Sequence, residues 1–146
     1  MDAGGKSSVT GMIARDGNLF VALSVPASSG TVFERLTAQG WLRRGGHGAA
    51  TVTVLLKLNA ENGQSVAGTF LTASADNGSA AEFRLKSMQW DAENLRITAW
   101  AGWQPRMKNR VPMTCTGAGP FLTTVILLPD LKTVLDAKAE RCVCCE

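Results

Sequence analysis

The sequence predicts an all-β protein, an antiparallel β-sandwich of about eight strands with one short helix and a helical C-terminal tail. Three observations predict it. Several segments alternate apolar and polar residues with a period of two. Asp-Gly and Asn-Gly pairs separate them and supply the positive φ that tight hairpins need. The strands are short and closely spaced, as in sandwiches and barrels. At 146 residues the chain makes one domain, residues 1–146, with a core over about 8–130 and a tail over 131–146. With 45% hydrophobic and 18% charged residues it can bury a core of ordinary size.

The elements follow in order. Ser8 to Ala14 is a first strand, and Asp16-Gly17-Asn18 turns it into Asn18 to Val25. Ala49 to Leu58 reads AATVTVLLKL, with Val52 and Val54 opposite Thr51 and Thr53 until Leu55-Leu56 breaks the alternation. Glu61-Asn62-Gly63 leads to Ser65 to Ala73, and Asp76-Asn77-Gly78 leads to Ala81 to Met88. Asn94 to Ala101 and Phe121 to Leu128 complete the set, rich in Ile, Val, Thr and aromatics. These phases make Val52, Val54, Leu56, Phe83, Leu85, Leu95, Ile97, Val125 and Leu127 the expected core.

Two stretches read as helical. Thr31 and Glu34 have capping-box spacing before Leu36 and a stopping Gly40, which predicts one or two turns over residues 31–39. Asp130 to Arg141 follows Pro129 and places Leu131, Val134, Leu135 and Lys138 at helical spacing, with Asp130 as N-cap.

Composition narrows the function. Fifteen Lys and Arg against twelve Asp and Glu give +3, mildly basic. One His and no Tyr remove many catalytic arrangements, and the reading is of a non-enzyme without cofactor or metal. His47 lies in Gly45-Gly46-His47-Gly48, where no orienting partner accompanies it, so a solvated loop His is the simpler account. That loop lacks the Lys-Ser/Thr of a phosphate-binding P-loop and precedes a strand. Cys115 stands apart, and Cys142, Cys144 and Cys145 crowd the end in a spacing too tight for a tetrahedral zinc pair. The cysteines do not spread as a disulfide framework does, which predicts a reducing compartment. Asn77-Gly78-Ser79 is a formal glycosylation sequon read here as a hairpin turn. No run of about 18 apolar residues is present, and no basic start followed by an apolar block marks a signal peptide, so no membrane contact is expected.

The basic residues cluster. Arg43 and Arg44 form one group; Arg106, Lys108 and Arg110 form a second on a Pro-bounded stretch, with Trp100 and Trp103 beside it. Lys and Arg neutralise phosphate, and an exposed Trp can stack on a base. These five cations, with Trp103 as the stacking ring, are the candidate contacts to single-stranded RNA.

The order of features carries a resemblance. Leu23-Ser24-Val25-Pro26 ends an early strand, and a short capped segment, Trp41 and a Gly-rich step follow. Then come Thr51 to Ala60, Val66-Ala67-Gly68-Thr69-Phe70-Leu71, and Thr123 to Asp130. Over about residues 18–130 this resembles the jelly-roll coat-protein domain of picorna-like plant viruses, the comovirus and nepovirus group. The resemblance implies a capsid subunit that self-assembles and meets packaged RNA, located in the virion or host cytoplasm. The alternative is a soluble β-sandwich module of non-viral origin that binds a carbohydrate or protein, using Trp100 and Trp103 as stacking rings.

Overall fold

The computed structural model describes residues 7–143, without the side chains of 29–31. Apart from one 3-10 helix (Ala27–Phe33), every regular element among the described residues is a strand. In chain order they are β1 (Ser8–Arg15), β2 (Asn18–Pro26), β3 (Thr51–Asn59), β4 (Ser65–Leu71), β5 (Ala73–Ser74), β6 (Ala80–Ala81) and β7 (Phe83–Asp91). There follow β8 (Asn94–Ala101), β9 (Gln104–Pro105), β10 (Thr114–Cys115), β11 (Phe121–Leu127), β12 (Val134–Ala139) and β13 (Cys142–Val143).

β1, β2, β3 and β4 pair antiparallel in that order. A second antiparallel sheet runs β12-β11-β8-β7. Two ribbons complete the structure, β6-β5-β9 and β10-β13. Turn chemistry sets the registers. Arg15 opposes Asn18 across Asp16 (φ 52°) and Gly17 (φ 80°), the two positive values of a type I′ hairpin. Gly63 and Gly78 also sit at positive φ, as the Asn-Gly pairs predict.

One apolar cluster draws on both large sheets, with Phe20, Val54 and Phe70 from the first and Phe83, Leu95, Ile97, Val125 and Leu127 from the second. Of the expected core residues only Leu85 is half-buried, where a register shift interrupts β7. β3 is buried on both faces from Val52 to Leu56. On one face Thr53 Oγ1 donates to Phe83 O (3.0 Å), reaching the second sheet. On the other, Phe70, in register with Val54, lies under residues 27–50, where Gly45 meets its ring. Burial on both faces explains the Leu55-Leu56 break, since a doubly covered strand has no polar side to alternate with.

Residues 27–50 form a strap between β2 and β3. Its neck is closed by Ala27 N–H to Ala50 O (2.8 Å) and Ser28 N–H to Gly48 O (3.0 Å). The helix expected over 31–39 is not there. A 3-10 helix runs over Ala27–Phe33, and turns continue to Gly40. Ser28, Ser29, Gly30 and Thr31 are poor helix formers. Packing then decides the path, because Phe33, Thr37, Trp41 and Leu42 must all be buried. The Thr31 side chain of the expected capping box lies outside the described residues.

The helical tail is also corrected. Asp130 caps no helix but braces a turn: Oδ1 accepts from Lys132 N–H (2.9 Å) and Thr133 N–H (3.0 Å), and Oδ2 from the Thr133 hydroxyl (3.0 Å). Leu131 stands at φ 59°, which no right-handed helix tolerates, and the chain returns as β12 along β11. The apolar spacing that mimics a helix mixes a loop residue, Leu131, fully buried, with a strand.

Burial raises the Asp130 pKa, but the Lys132 and Thr133 donors and the Lys132 charge outweigh it and hold the carboxyl below its ordinary value. A depressed folded pKa stabilises the fold above the unfolded value, about 3.9, and the contribution fades as pH falls through the folded value. Asp130→Ala should therefore cost about 1 kcal/mol at neutral pH and less in acid below the carboxylate range. Urea unfolding at the two pH values checks this; an equal cost at both would refute the charged turn.

Candidate anion-binding cleft

Two irregular segments build the cleft, and each is placed by buried neighbours. The first is the stretch of the strap over residues 41–44. Trp41 N–H donates to Leu131 O (3.0 Å), Leu42 N–H to Thr69 Oγ1 (2.9 Å), and Phe70 N–H to Leu42 O (2.9 Å). Trp41 and Leu42 are thereby buried along β4, and Arg43 and Arg44 follow them into solvent.

The second is the loop between β9 and β10. An Arg106–Pro112 bridge closes it. Met107 N–H donates to Val111 O (2.8 Å), and Met113 N–H to Pro105 O (2.8 Å). Arg110 takes φ 78° at the tip. Two bonds join the segments: Trp41 Nε1–H donates to Lys108 O (2.9 Å), and Arg110 Nε–H donates to Trp41 O.

The result brings the two basic clusters together. Arg43, Arg44, Arg106 and Arg110 line one cleft with Trp41 and Thr72, and none of the lining residues is acidic. Arg106 is the least exposed of the four. Its terminal amino group donates to Arg110 O (3.1 Å), while its buried Nε has no partner among the described residues. Burial lowers its pKa, because a charge leaving water is less stable, but a guanidinium keeps its proton at neutral pH. Four like charges around one opening, one with an unmet donor, favour an anion that accepts several hydrogen bonds at once.

Lys108 and Trp103 stand apart from this cleft. Lys108 is exposed and contributes its carbonyl to Trp41 rather than a side chain to the lining. Trp103 is half-buried, packs on Phe121 with ring centroids 5.9 Å apart, and donates Nε1–H to Asp76 Oδ1 (2.7 Å). Its ring supports a loop beside a carboxylate, which is poor ground for stacking on an anionic strand. Trp41 is the residue that sequence reasoning missed. A buried Trp whose indole N–H ties two loops leaves no period or motif to find.

His47 is exposed on the strap, and its carbonyl accepts from Ala80 N–H (2.9 Å). Among the described residues no group of three or more His, Cys, Asp or Glu could hold a metal. The solitary reading of Cys115 is corrected: Cys115 and Cys142 oppose each other on β10 and β13 and form a disulfide. Such a bond persists in oxidising surroundings, against the reducing compartment expected from spacing. The two strands meet only in the fold, so the linear separation of the cysteines hid the pair. Cys144 and Cys145 lie outside the described residues. Among the described residues, no helix is long and apolar enough to cross a membrane.

No protein-family model, curated protein or solved structure matches the chain.

Proposed function

We propose that the chain is a non-catalytic, two-layer β-sandwich subunit that holds single-stranded RNA by its phosphates at the arginine cleft and assembles with copies of itself, as a coat protein does. The observation that carries this reading is the convergence of Arg43, Arg44, Arg106 and Arg110 on one opening without a lining carboxylate. Charge alone reads no sequence, so polyuridylate and polyadenylate should bind alike.

The test uses the exposed pair, which can be changed without touching a buried contact. Arg43→Gln with Arg44→Gln should lower the slope of log affinity against log salt by about 1.4, roughly 0.7 per lost phosphate contact on a single strand. Lys108→Gln should leave the slope unchanged. Fluorescence anisotropy of labelled polyuridylate over a salt series reads both. A double variant with the wild-type slope would refute the cleft. Sedimentation of the same proteins tests the assembly half of the reading: a monomer at all concentrations would remove the coat-protein role and leave the RNA contact.

A further inference from the structure

We propose a second binding site, independent of the arginine cleft, at Trp100 on the outer face of the second sheet, taking a uronic acid residue of an acidic polysaccharide. Trp100 is a large aromatic left 38% exposed on a strand whose neighbours Leu95, Ile97, Ala99 and Ala101 are fully buried. It shares a shallow depression with Pro120, Gly102, Gly119, Glu82 and Arg84. The two glycines leave the floor beside the indole free of side chains, so a flat ring can lie against Trp100 and Pro120. The C–H face of a pyranose is apolar enough to pack there.

The polar half of the site selects an anion. Glu82 has both oxygens engaged: Oε1 accepts from Arg84 Nε–H (2.8 Å) and Oε2 from Thr51 N–H (3.0 Å). It therefore serves as a brace. Arg84 is held by its Nε, and its two terminal amino groups meet no acceptor among the described residues. A guanidinium held in that way presents a planar fork to a carboxylate.

Register fixes where the carboxylate must sit. Arg84 is the cross-strand partner of Trp100. Strands lie about 4.8 Å apart, so an anion on the fork lies at the edge of a ring stacked on Trp100. A sugar that bears its carboxylate on the ring meets this, whereas a nucleotide separates base from phosphate by a ribose. The same face continues with Arg96, four residues before Trp100 on β8, while Lys138 further along is paired with Asp136 (3.8 Å). A polymer with repeated carboxylates finds a further cation in Arg96.

Isothermal titration with an oligogalacturonate, and with the same oligomer methyl-esterified, tests the proposal. The ester keeps the rings and removes the charge. The acid should bind at least tenfold more tightly than the ester. Trp100→Ala should weaken both, and Arg84→Gln should weaken the acid tenfold and leave the ester unchanged. Both side chains are exposed, and thermal unfolding of each variant verifies the fold. Arg43→Gln with Arg44→Gln should leave acid binding unchanged, which separates this site from the cleft. Equal binding of acid and ester, full binding by Trp100→Ala, loss of binding in the Arg43/Arg44 variant, or displacement of the oligomer by polyuridylate would each overturn it.

Discussion

Gly40→Ala is expected to be the most damaging single-methyl change in this protein. A Cβ at residue 40 would run into the Gly68 carbonyl oxygen and stand 2.9 Å from both Cα and Cβ of Thr69. Those are mostly backbone atoms of β4, which cannot rotate away as a long side chain can. The strap would have to lift, and with it the bonds from Leu42 N–H to Thr69 Oγ1 and from Phe70 N–H to Leu42 O. Overpacking ordinarily costs 1–3 kcal/mol; with strand backbone as the obstacle and buried hydrogen bonds at stake the expected loss is about 4 kcal/mol. That is a large share of the stability of a domain this size. Chemical denaturation reads it as a shifted midpoint. Because the strap carries Arg43 and Arg44, RNA affinity should fall in the same variant. An unchanged midpoint would show that the strap does not rest on β4.

Phe121→Ala should cost about 3–5 kcal/mol. The ring is fully buried at the start of β11. It carries the Trp103 indole on one side, and the Arg141 guanidinium lies 4.7 Å from its centroid. Truncation leaves a cavity and releases both partners, and aromatic pairs are worth about 0.5–1.5 kcal/mol beyond their burial. Arg141 also donates to the carbonyls of Thr116 and Ala118, so the loop before β11 loosens with it. Phe121→Leu, which keeps most of the volume, should lose under half as much. Equal losses for the two variants would place the energy in the ring contacts rather than in the cavity. The disulfide between Cys115 and Cys142 closes the same corner covalently, so both variants are to be measured with it intact.

The strands that run the length of the sheets were legible because their cause is local. Phe83 to Met88, Asn94 to Ala101 and Phe121 to Leu127 each need one buried face, and a period of two records that need directly in the residues. The turns were legible for the same reason, since Asp16-Gly17, Asn62-Gly63 and Asn77-Gly78 carry their own φ requirements. The basic residues could be grouped by proximity in the chain, but not joined. Arg43 and Arg106 share a cleft only because Trp41 Nε1–H finds the Lys108 carbonyl across the fold.

Tertiary contact decided the rest. β12 was hidden because its alternation is slight, with only Ala137 fully inward, and because Leu131 before it is buried from a loop. Pairing with β11 overrides the helical spacing there. The strap kept no period because its buried residues Trp41 and Leu42 are placed by Leu131 and β4 rather than by a repeating local pattern. Trp103 and Trp100 show the same division most plainly. Both are aromatics near a basic stretch, and nothing in the linear chain ranks them. The fold turns Trp103 onto Phe121 and Asp76 and leaves Trp100 facing solvent beside Arg84. Composition and period determined that this chain is all-β. Which of its polar and aromatic side chains meet was decided by non-local packing, because a side chain's partners are fixed by the sheets it lies between and not by its neighbours in sequence.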